Sequence, residues 1–262
     1  MLNIQEMSVV YGENPEPAVR DFCLSMKEGE IVGIVGESGS GKTTVVRAVL
    51  GCLPGGGFIS QGDILFEGSS LTRLDAEGWR SIRGTKMSMI FQDSGATLNP
   101  VRKIGSQYVE YIRAHQNMTK KEAWKRGREM LERMSLPDGE HIMQSYAFQL
   151  SGGMRQRVGI AMAMTFQPRL LLADEPTSAL DVTTQAQIVR QMLKMRESYG
   201  TGIILVTHNL GVAAYMADTL VVMKEGRIVD MGDRAQILHH PSSAYTRKLL
   251  DSVPSMGGER FV

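Results

Sequence analysis

The pattern of hydrophobic and polar positions begins with strands. In residues 2 to about 26, two strand-like runs flank a loop at 12–17, where one glycine and two prolines oppose regular structure. Residues 31–35 form a short apolar run typical of a buried strand, and a helix is predicted to begin near Lys42. Further strands are predicted at 61–66 and 87–91. This part of the chain is therefore expected to be mostly sheet.

The middle of the chain, about residues 95–165, has a helical pattern and is rich in methionine. Thr119 and Glu122 have the spacing of a capping box, which predicts the start of a charged helix that runs to about Met134. Basic and acidic residues are mixed along this helix at spacings of three and four positions. Such mixing is typical of a solvated face rather than of a nucleic-acid contact.

After residue 168, strands and helices alternate again. Strands are predicted at 169–173 and 202–206, with a helix from about Val182 and a short helix after His208. A hairpin is predicted from two further strands, at 219–224 and 227–231. Alternation interrupted by a helical insertion predicts an α/β fold with a mainly parallel core sheet.

The segments combine into one predicted domain over residues 1–262. Its nucleotide-binding core comprises residues 1–94 and 166–240, and its N-terminal part is expected to be an antiparallel β subdomain. The inserted helical subdomain covers about 95–165, and a short C-terminal tail covers 241–262.

Composition narrows the functional classes. The chain has 29 Lys plus Arg against 28 Asp plus Glu, so it lacks the basic excess expected of a nucleic-acid-binding protein. Its two cysteines, Cys23 and Cys52, are too few for a disulfide framework and fit a reducing cytosol. The first residues lack the features of a secretory signal, and no apolar run approaches the roughly 18 residues of a membrane span. We expect any work at a membrane to proceed through a partner.

Residues 36–43, which read Gly-Glu-Ser-Gly-Ser-Gly-Lys-Thr, match the phosphate-loop pattern G-x-x-x-x-G-K-[ST]. The pattern lies between an apolar strand and a helix, where backbone N–H groups and the helix N-terminus can hold phosphates. Lys42 is expected to reach the β- and γ-phosphates of ATP, and the Thr43 hydroxyl to bind Mg²⁺. The nucleotide-binding residues predicted here are Gly36, Glu37, Ser38, Gly39, Ser40, Gly41, Lys42, Thr43 and Thr44.

Two carboxylates follow the apolar run at 170–173. Ligands of parallel α/β sheets bind at strand ends, so Asp174 and Glu175 are expected to face the phosphate site. Asp174 would hold Mg²⁺, directly or through water, and Glu175 would orient or deprotonate the attacking water.

His208 and Gln92 also follow predicted strands. A histidine at this strand end can donate a hydrogen bond to the γ-phosphate. From the residues alone, Gln92 is equally a ligand of Mg²⁺ or water and the first residue of a loop.

Residues 150–157, which read Leu-Ser-Gly-Gly-Met-Arg-Gln-Arg, resemble the LSGGQ-type signature of ABC ATPases, with Met154 where glutamine often stands. In that family Gln92 corresponds to the Q-loop, residues 178–181 to the D-loop, and His208 to the H-loop. Tyr11 lies where an aromatic ring stacks on adenine. The resemblance covers essentially the whole chain, and its motifs occur in the family's order.

The signature also has a physical rationale as a second anion site. Ser151, Gly152 and Gly153 begin a helix, where bare N–H groups and a hydroxyl can bind an anion. The resemblance implies that this site faces the γ-phosphate of ATP held by a second ATPase subunit, with Asp181 nearby. ATP would close this head-to-tail dimer, and hydrolysis would open it.

A finer resemblance indicates the peptide and nickel uptake branch of the family. The segments that carry it read Phe-Gln-Asp at 91–93, Leu-Asn-Pro at 98–100, Gly-Met-Arg-Gln-Arg-Val at 153–158 and Tyr-Thr-Arg-Lys-Leu-Leu at 245–250. Ser94 replaces the usual proline, and Ser243 with Ala244 replaces the usual His-Pro. No cysteine follows Cys52, so we expect no iron–sulfur cluster of the kind that some peptide transporters carry in a C-terminal tail. The short tail favours an importer of nickel or of a metal chelate.

The resemblance implies the ATPase subunit of an importer for peptides, nickel or metal chelates, at the cytoplasmic face of the cell membrane. ATP and Mg²⁺ are its expected ligands. Its expected partners are two transmembrane permeases, gripped by about residues 92–108, and a homologous or identical second ATPase, with a solute-binding protein acting indirectly. The alternative is an ATPase of a soluble assembly such as carbon–phosphorus lyase. DNA-repair or translation ABC proteins fit poorly, because the chain lacks long heptad insertions and a second ATPase domain.

Overall fold

The computed structural model describes residues 1–12, 16–92, 97–178 and 180–251, and the backbone of two short strands beyond them. The strands are β1 (Leu2–Val10), β2 (Val19–Met26), β3 (Ile31–Val35), β4 (Phe58–Phe66), β5 (Ser69–Ser70), β6 (Met87–Ile90), β7 (Leu170–Asp174), β8 (Gly202–Thr207), β9 (Thr219–Lys224), β10 (Arg227–Asp233), β11 (Ser255–Met256) and β12 (Glu259–Arg260). The helices are α1 (Lys42–Val49), α2 (Ala76–Ile82), α3 (Ile104–His115), α4 (Lys120–Arg133), α5 (Gly139–Gln144), α6 (Gly152–Met164), α7 (Val182–Tyr199), α8 (Leu210–Met216), α9 (Arg234–His239) and α10 (Ala244–Asp251).

The central sheet has the order β10-β9-β3-β8-β7-β6. Its pairs are parallel except the β9–β10 hairpin, which confirms the predicted mainly parallel sheet. Strand β3 is buried along its whole length because both faces of the sheet are covered. Val32 and Ile34 pack in one core, whereas Ile31 and Val35 pack in a second core on the opposite face.

The first of these cores lies under an antiparallel sheet of order β2-β1-β4-β5. Alternate residues of its strands, such as Ile4 and Phe22, pack with Val45 and Val46 of α1 and with the central sheet. The predicted N-terminal antiparallel β region is confirmed. It covers the face of the central sheet on which α1 lies.

The second core contains the inserted helices α3 to α6. Helix α4 begins with the predicted capping box: the Thr119 hydroxyl accepts a hydrogen bond from the Glu122 backbone, and the Glu122 carboxylate accepts one from the Thr119 backbone. Its apolar residues, including Met130 and Leu131, are buried, while its charged residues form i,i+4 pairs on the exposed side. The charged face is solvated, as its mixed signs indicate.

Residues 242–251, the described part of the predicted C-terminal tail before the two short strands, pack against the core. Leu250 of α10 is buried in the second core. At the start of this segment the buried Asp230 carboxylate accepts hydrogen bonds from the Ser242 hydroxyl (2.8 Å) and the Ser243 backbone (3.0 Å). Helix α10 is thereby fixed on β10.

Among the helices of the described residues, none is both long and apolar enough to cross a membrane.

Candidate nucleotide-binding site

The phosphate loop links the end of β3 to the start of α1. Gly36 has φ +150° and Gly41 has φ +99°, which are conformations that other residues rarely adopt. A Cβ atom on Gly36 would overlap the backbone carbonyl of Met223 in β9. These glycines allow the chain to turn closely over the sheet edge and enter α1 at Lys42.

Lys42 is buried at the base of this loop. Its ammonium group donates to the carbonyl oxygens of Gly36 (2.8 Å) and Glu37 (2.7 Å) and lies 3.3 Å from the Ser40 hydroxyl oxygen. Burial lowers the pKa of Lys42 below its ordinary value, and the carboxylates of Glu175 and Asp174 oppose that shift. The loop therefore holds a cation where a phosphate can replace its present partners.

Strand register brings the predicted polar residues to one edge of the sheet. Val35 in β3 lies beside Thr207 in β8, and Val206 in β8 lies beside Asp174 in β7. Strand β6 ends at the same edge of the sheet, with Ile90 beside Ala173. The predicted site residues just beyond these strand ends are Gly36, Gln92, Glu175 and His208.

Asp174 and Thr43 form a pair of oxygen donors. The Thr43 hydroxyl donates to the buried Asp174 carboxylate at 3.0 Å. Burial raises the pKa of Asp174, although the Thr43 hydrogen bond and the positive charges of Arg47 and Lys42 oppose the shift. A hydroxyl and a carboxylate at this spacing fit Mg²⁺, which prefers oxygen ligands and takes others from water and phosphate.

Glu175 and His208 contact each other across neighbouring strand ends. The Glu175 carboxylate lies 2.9 Å from His208 Nδ1 and accepts a second hydrogen bond from the His208 backbone at 3.0 Å. Glu175 has φ +50°, in the left-handed region that is costly for a side chain such as glutamate. Its side chain is 12% exposed and that of His208 is 69% exposed, so the pair presents a fixed carboxylate beside an accessible imidazole.

Gln92 also reaches the site, and its backbone carbonyl accepts a hydrogen bond from the Ser178 hydroxyl at 3.3 Å. Ser178 donates to the Glu175 carbonyl as well, at 3.0 Å. The segment after β6 is thus tied to the segment after β7. Of the predicted Q-loop and D-loop segments, Asp93, Ser94 and Ala179 lie outside the described residues.

A cavity of about 340 Å³ joins these groups, which is within the usual size range of ligand sites. It is lined by Ala18, Ser38, Gly39, Gly41, Lys42, Thr43, Thr44, Gln92, Glu175 and His208. Tyr11 does not line the cavity. Its hydroxyl donates a hydrogen bond at 3.3 Å to the hydroxyl of Thr44, which does line the cavity. Most of the predicted phosphate-binding and catalytic residues therefore line one cavity.

The signature residues lie elsewhere. Ser151 caps α6 by accepting a hydrogen bond from the Met154 backbone, and a Cβ atom on Gly153 would lie 2.7 Å from Thr184 in α7. Asp181 caps α7 and accepts hydrogen bonds from the backbone (2.9 Å) and hydroxyl (2.7 Å) of Thr184. The signature and Asp181 thus meet each other at Thr184, outside the cavity lining.

Three residues of this region were not predicted from the sequence as site residues. The buried Gln156 amide donates to the Pro176 carbonyl at 2.6 Å, which ties the signature helix to the loop after Glu175. Ala18 lines the cavity, and the Tyr245 hydroxyl contacts the phosphate loop. Position within the signature could have indicated Gln156, whereas Tyr245 is 208 positions from its partner and has no local signal.

The mainly parallel sheet, its helical insertion and the phosphate loop define the class of this protein, which is that of the ATP-binding cassette ATPases. Residues 19–178 match the family model described as ABC transporter. The chain belongs to that family.

The chain is similar to the glutathione import ATP-binding protein GsiA of Escherichia coli (strain K12) and to GsiA of Shigella flexneri. In both cases 40% of 265 aligned positions are identical, over 98% of this chain. The chain spans 42% of the length of these relatives.

Solved structures give the same fold. The ATP-binding cassette MJ0796, in a dimeric post-hydrolysis state bound to ADP and Pi, is 28% identical with a TM-score of 0.79, covering 89% of this chain and 99% of that one. The cbiO1 protein from Clostridium perfringens, part of the cbiONQ transporter complex, is 27% identical with a TM-score of 0.77, covering 91% of this chain and 90% of that one.

Proposed function

We propose that this chain is the ATP-hydrolysing subunit of an importer for small peptides, nickel or metal chelates. The observation that carries the proposal is one cavity lined by the phosphate loop and the Glu175–His208 pair, with Asp174 bonded to Thr43 of the lining. The 40% identity to proteins named for glutathione import supports uptake and favours peptides within this range.

ATP would bind with its phosphates against the loop that begins at Gly36. Backbone N–H groups of the loop and the N-terminus of α1 supply a favourable potential for the anion. The Lys42 ammonium would exchange its carbonyl partners for β- and γ-phosphate oxygens. Thr43, Asp174 and Gln92 would hold Mg²⁺, which neutralises charge on the phosphates when bound.

Hydrolysis would depend on the Glu175–His208 pair. Glu175 would orient an attacking water and accept its proton at a carboxylate oxygen. The His208 backbone N–H donates to that carboxylate and Nδ1 lies 2.9 Å from it, and the exposed imidazole would also contact the γ-phosphate. This combination requires the left-handed backbone at Glu175, which turns the chain sharply after β7.

The signature would act on nucleotide held by a second ATPase subunit. Ser151, Gly152 and Gly153 begin a helix outside this chain's own cavity lining, so one subunit does not use them on its own nucleotide. A head-to-tail pair would place the signature of each subunit, with Asp181, over the γ-phosphate of the other. The dimeric form of MJ0796 supports such a pair, and ATP would favour the closed form.

A cleft between strand β6 and the end of α1 on one side, and helices α3 and α6 on the other, would receive a helix of the permease. The cleft has a volume of about 340 Å³ and includes Leu50, Arg83, Phe91, Leu98, Tyr111 and Met162 in its lining. Phe91 is 39% exposed and directly precedes Gln92, so a helix bound here would contact the segment that enters the nucleotide site. This position supports the predicted grip at about 92–108, by which the chain would assemble with a permease at the cytoplasmic face of the membrane.

Replacing Asp174 with asparagine is expected to stabilise the ligand-free protein and, at the same time, to weaken the binding of Mg²⁺ with ATP. Burial raises the pKa of Asp174. The Asp174 carboxyl group therefore binds its proton more tightly in the folded ligand-free protein than in the unfolded chain. The associated stability is present below the ordinary carboxyl pKa and is lost as pH rises through the raised value. Because asparagine carries no charge, Asp174→Asn should raise the Tm of the ligand-free protein at about pH 7.5, and less at about pH 4.

The same variant should lose most of the Tm increase that Mg²⁺ with ATP gives the unaltered protein. Thermal unfolding with and without Mg²⁺ and ATP measures both effects. A Tm below that of the unaltered protein without ligand, or an undiminished ligand effect, would contradict the role given to Asp174.

Replacing His208 with alanine should lower kcat by about 10- to 100-fold, because the contacts of the imidazole with the catalytic carboxylate and with the γ-phosphate are lost. ATP affinity should change little, since Lys42 and the loop are intact. Steady-state ATPase assays measure this split. The exposed His141 in α5 supplies the control variant His141→Ala, and equal rates in the two variants would count against a role for His208.

Uptake by cells tests the proposed function directly. A strain lacking this gene should lose uptake of one labelled solute among glutathione, dipeptides and Ni²⁺. The unaltered gene should restore it, and a Glu175→Gln variant should not. Unchanged uptake of every solute in the deletion strain would contradict the importer assignment.

A further inference from the structure

The C-terminal segment contacts the phosphate loop through one side chain. The hydroxyl oxygen of Tyr245, in the first turn of α10, accepts a hydrogen bond from the Glu37 backbone N–H at 3.1 Å. In the described structure Glu37 is exposed and begins the turn that carries the loop around the phosphate position. A residue far along the sequence thus contacts the backbone of the nucleotide site.

The bonded group belongs to the peptide unit that also holds Lys42. The Glu37 N–H and the Gly36 carbonyl are the two ends of one planar peptide, so fixing the direction of one fixes the other. The Gly36 carbonyl accepts a hydrogen bond from the Lys42 ammonium at 2.8 Å. Tyr245 and Lys42 therefore bind opposite ends of the same peptide. Gly36 has no side chain to restrict its rotation, and its φ of +150° is open to few other residues.

Tyr245 is itself held in place by several contacts. The Lys224 ammonium lies 5.4 Å from the centre of the Tyr245 ring. The Tyr245 backbone N–H donates a hydrogen bond to the Ser243 hydroxyl at 3.2 Å. Ser242 and Ser243 are bound to the buried carboxylate of Asp230. Burial raises the pKa of Asp230, but the hydrogen bonds from Ser243 and Ser242 outweigh it and hold the pKa below its ordinary value, so this anchor is ionised near neutral pH.

We propose that Tyr245 is a positioning residue for nucleotide binding, and that it acts through the Gly36–Glu37 peptide on the Lys42 ammonium. The segment from Ser242 to Tyr245 thereby becomes a functional part of the nucleotide site, although it lies outside the cavity lining. The proposal rests on the proposed binding of ATP by the phosphate loop. Loss of the hydroxyl would let the peptide rotate, so phosphate binding would have to order the loop around the ammonium, and this cost would weaken binding.

The variant Tyr245→Phe removes only the hydroxyl and retains the ring beneath Lys224. One neutral hydrogen bond contributes about 0.5–1.5 kcal/mol, so the Kd for ATP should rise by roughly 2- to 10-fold. At saturating ATP, kcat should change much less, because Glu175 and His208 are not touched. The ligand-free Tm should stay close to that of the unaltered protein.

The matched control is Tyr199→Phe. The Tyr199 hydroxyl, at the end of α7, accepts a hydrogen bond from Arg133 of α4 at 2.7 Å, so this variant loses a hydroxyl hydrogen bond away from the loop. Its Kd for ATP should equal that of the unaltered protein. Asp230→Asn, which weakens the anchor of the segment, should raise the Kd in the same direction as Tyr245→Phe.

Isothermal titration with ATP and thermal unfolding of the four proteins decide the matter. An unchanged Kd in Tyr245→Phe would overturn the proposal and leave Tyr245 as a packing residue. A raised Kd accompanied by an equally raised Kd in Tyr199→Phe would also overturn it, since a general loss of stability would then explain both. Failure of the unaltered protein to bind ATP would instead overturn the proposed function, which keeps the two failures distinct.

Discussion

Replacing Lys42 with alanine should abolish measurable ATP binding, with a loss in affinity of about 100-fold or more. Lys42 is buried at the base of the phosphate loop, where it binds two backbone carbonyls and can exchange them for phosphate oxygens. A hydrogen bond to a charged group contributes about 1.5–3 kcal/mol, and here at least one such bond and the charge itself would be lost. No other ammonium group lines the cavity among the described residues.

Isothermal titration with ATP and Mg²⁺ measures this loss. Lys125→Ala is the matched control, because Lys125 is an exposed lysine of α4 that pairs with Glu129 on the helix surface. The control should bind ATP like the unaltered protein, and unfolding curves should show that both variants are folded. Normal ATP affinity in Lys42→Ala would remove the phosphate loop from nucleotide binding.

Replacing Glu175 with glutamine should leave ATP binding intact and lower the hydrolysis rate by about 10²- to 10⁴-fold, the usual contribution of a general base. Glutamine has nearly the same shape, and its carbonyl oxygen can still accept the hydrogen bond from the His208 backbone. It cannot accept a proton from water at this oxygen in the same way. ATP should therefore persist, and closed dimers should accumulate.

Phosphate release and size-exclusion chromatography with Mg²⁺ and ATP test both parts. Glu129→Gln, at the exposed ion pair of α4, is the control for loss of a carboxylate. Turnover of Glu175→Gln at the unaltered rate would exclude Glu175 from the chemistry. A variant that stayed monomeric with bound ATP would contradict the closed-dimer mechanism.

The sequence predicts the central sheet and its site edge well because the physical rules involved are local. Apolar runs such as Ile31–Val35 must be covered on both faces, and parallel strands end at one edge of the sheet. Those two rules were enough to expect Asp174 and His208 near the phosphate loop. Their register in the structure aligns the strand ends that carry them.

The contacts that finish the site could not be predicted in the same way. The Glu175–His208 bond depends on a left-handed backbone at Glu175, which no neighbouring residue signals. The Gln156–Pro176 bond depends on how α6 packs against β6, beside the loop that follows β7. Contacts of this kind follow from tertiary packing between segments that the chain order keeps apart.

The signature shows a different limit. Its serine and glycines begin α6 as predicted, yet they lie away from the cavity lining of their own chain. The function of this helix start is inferred from the family resemblance, which implies a second ATPase subunit whose nucleotide the signature would contact. The roles given to Ser151 and Asp181 therefore stay predictions about an assembly.

Purification of the tagged protein from detergent-solubilised native membranes, followed by mass spectrometry, tests the importer assignment most directly. We expect two multi-span permeases and a second ATPase, or a second copy of this chain, to be recovered with it. A co-purifying solute-binding protein would also indicate the cargo class. Recovery of soluble enzyme subunits alone, without permeases, would contradict the account and assign this ATPase to a soluble assembly.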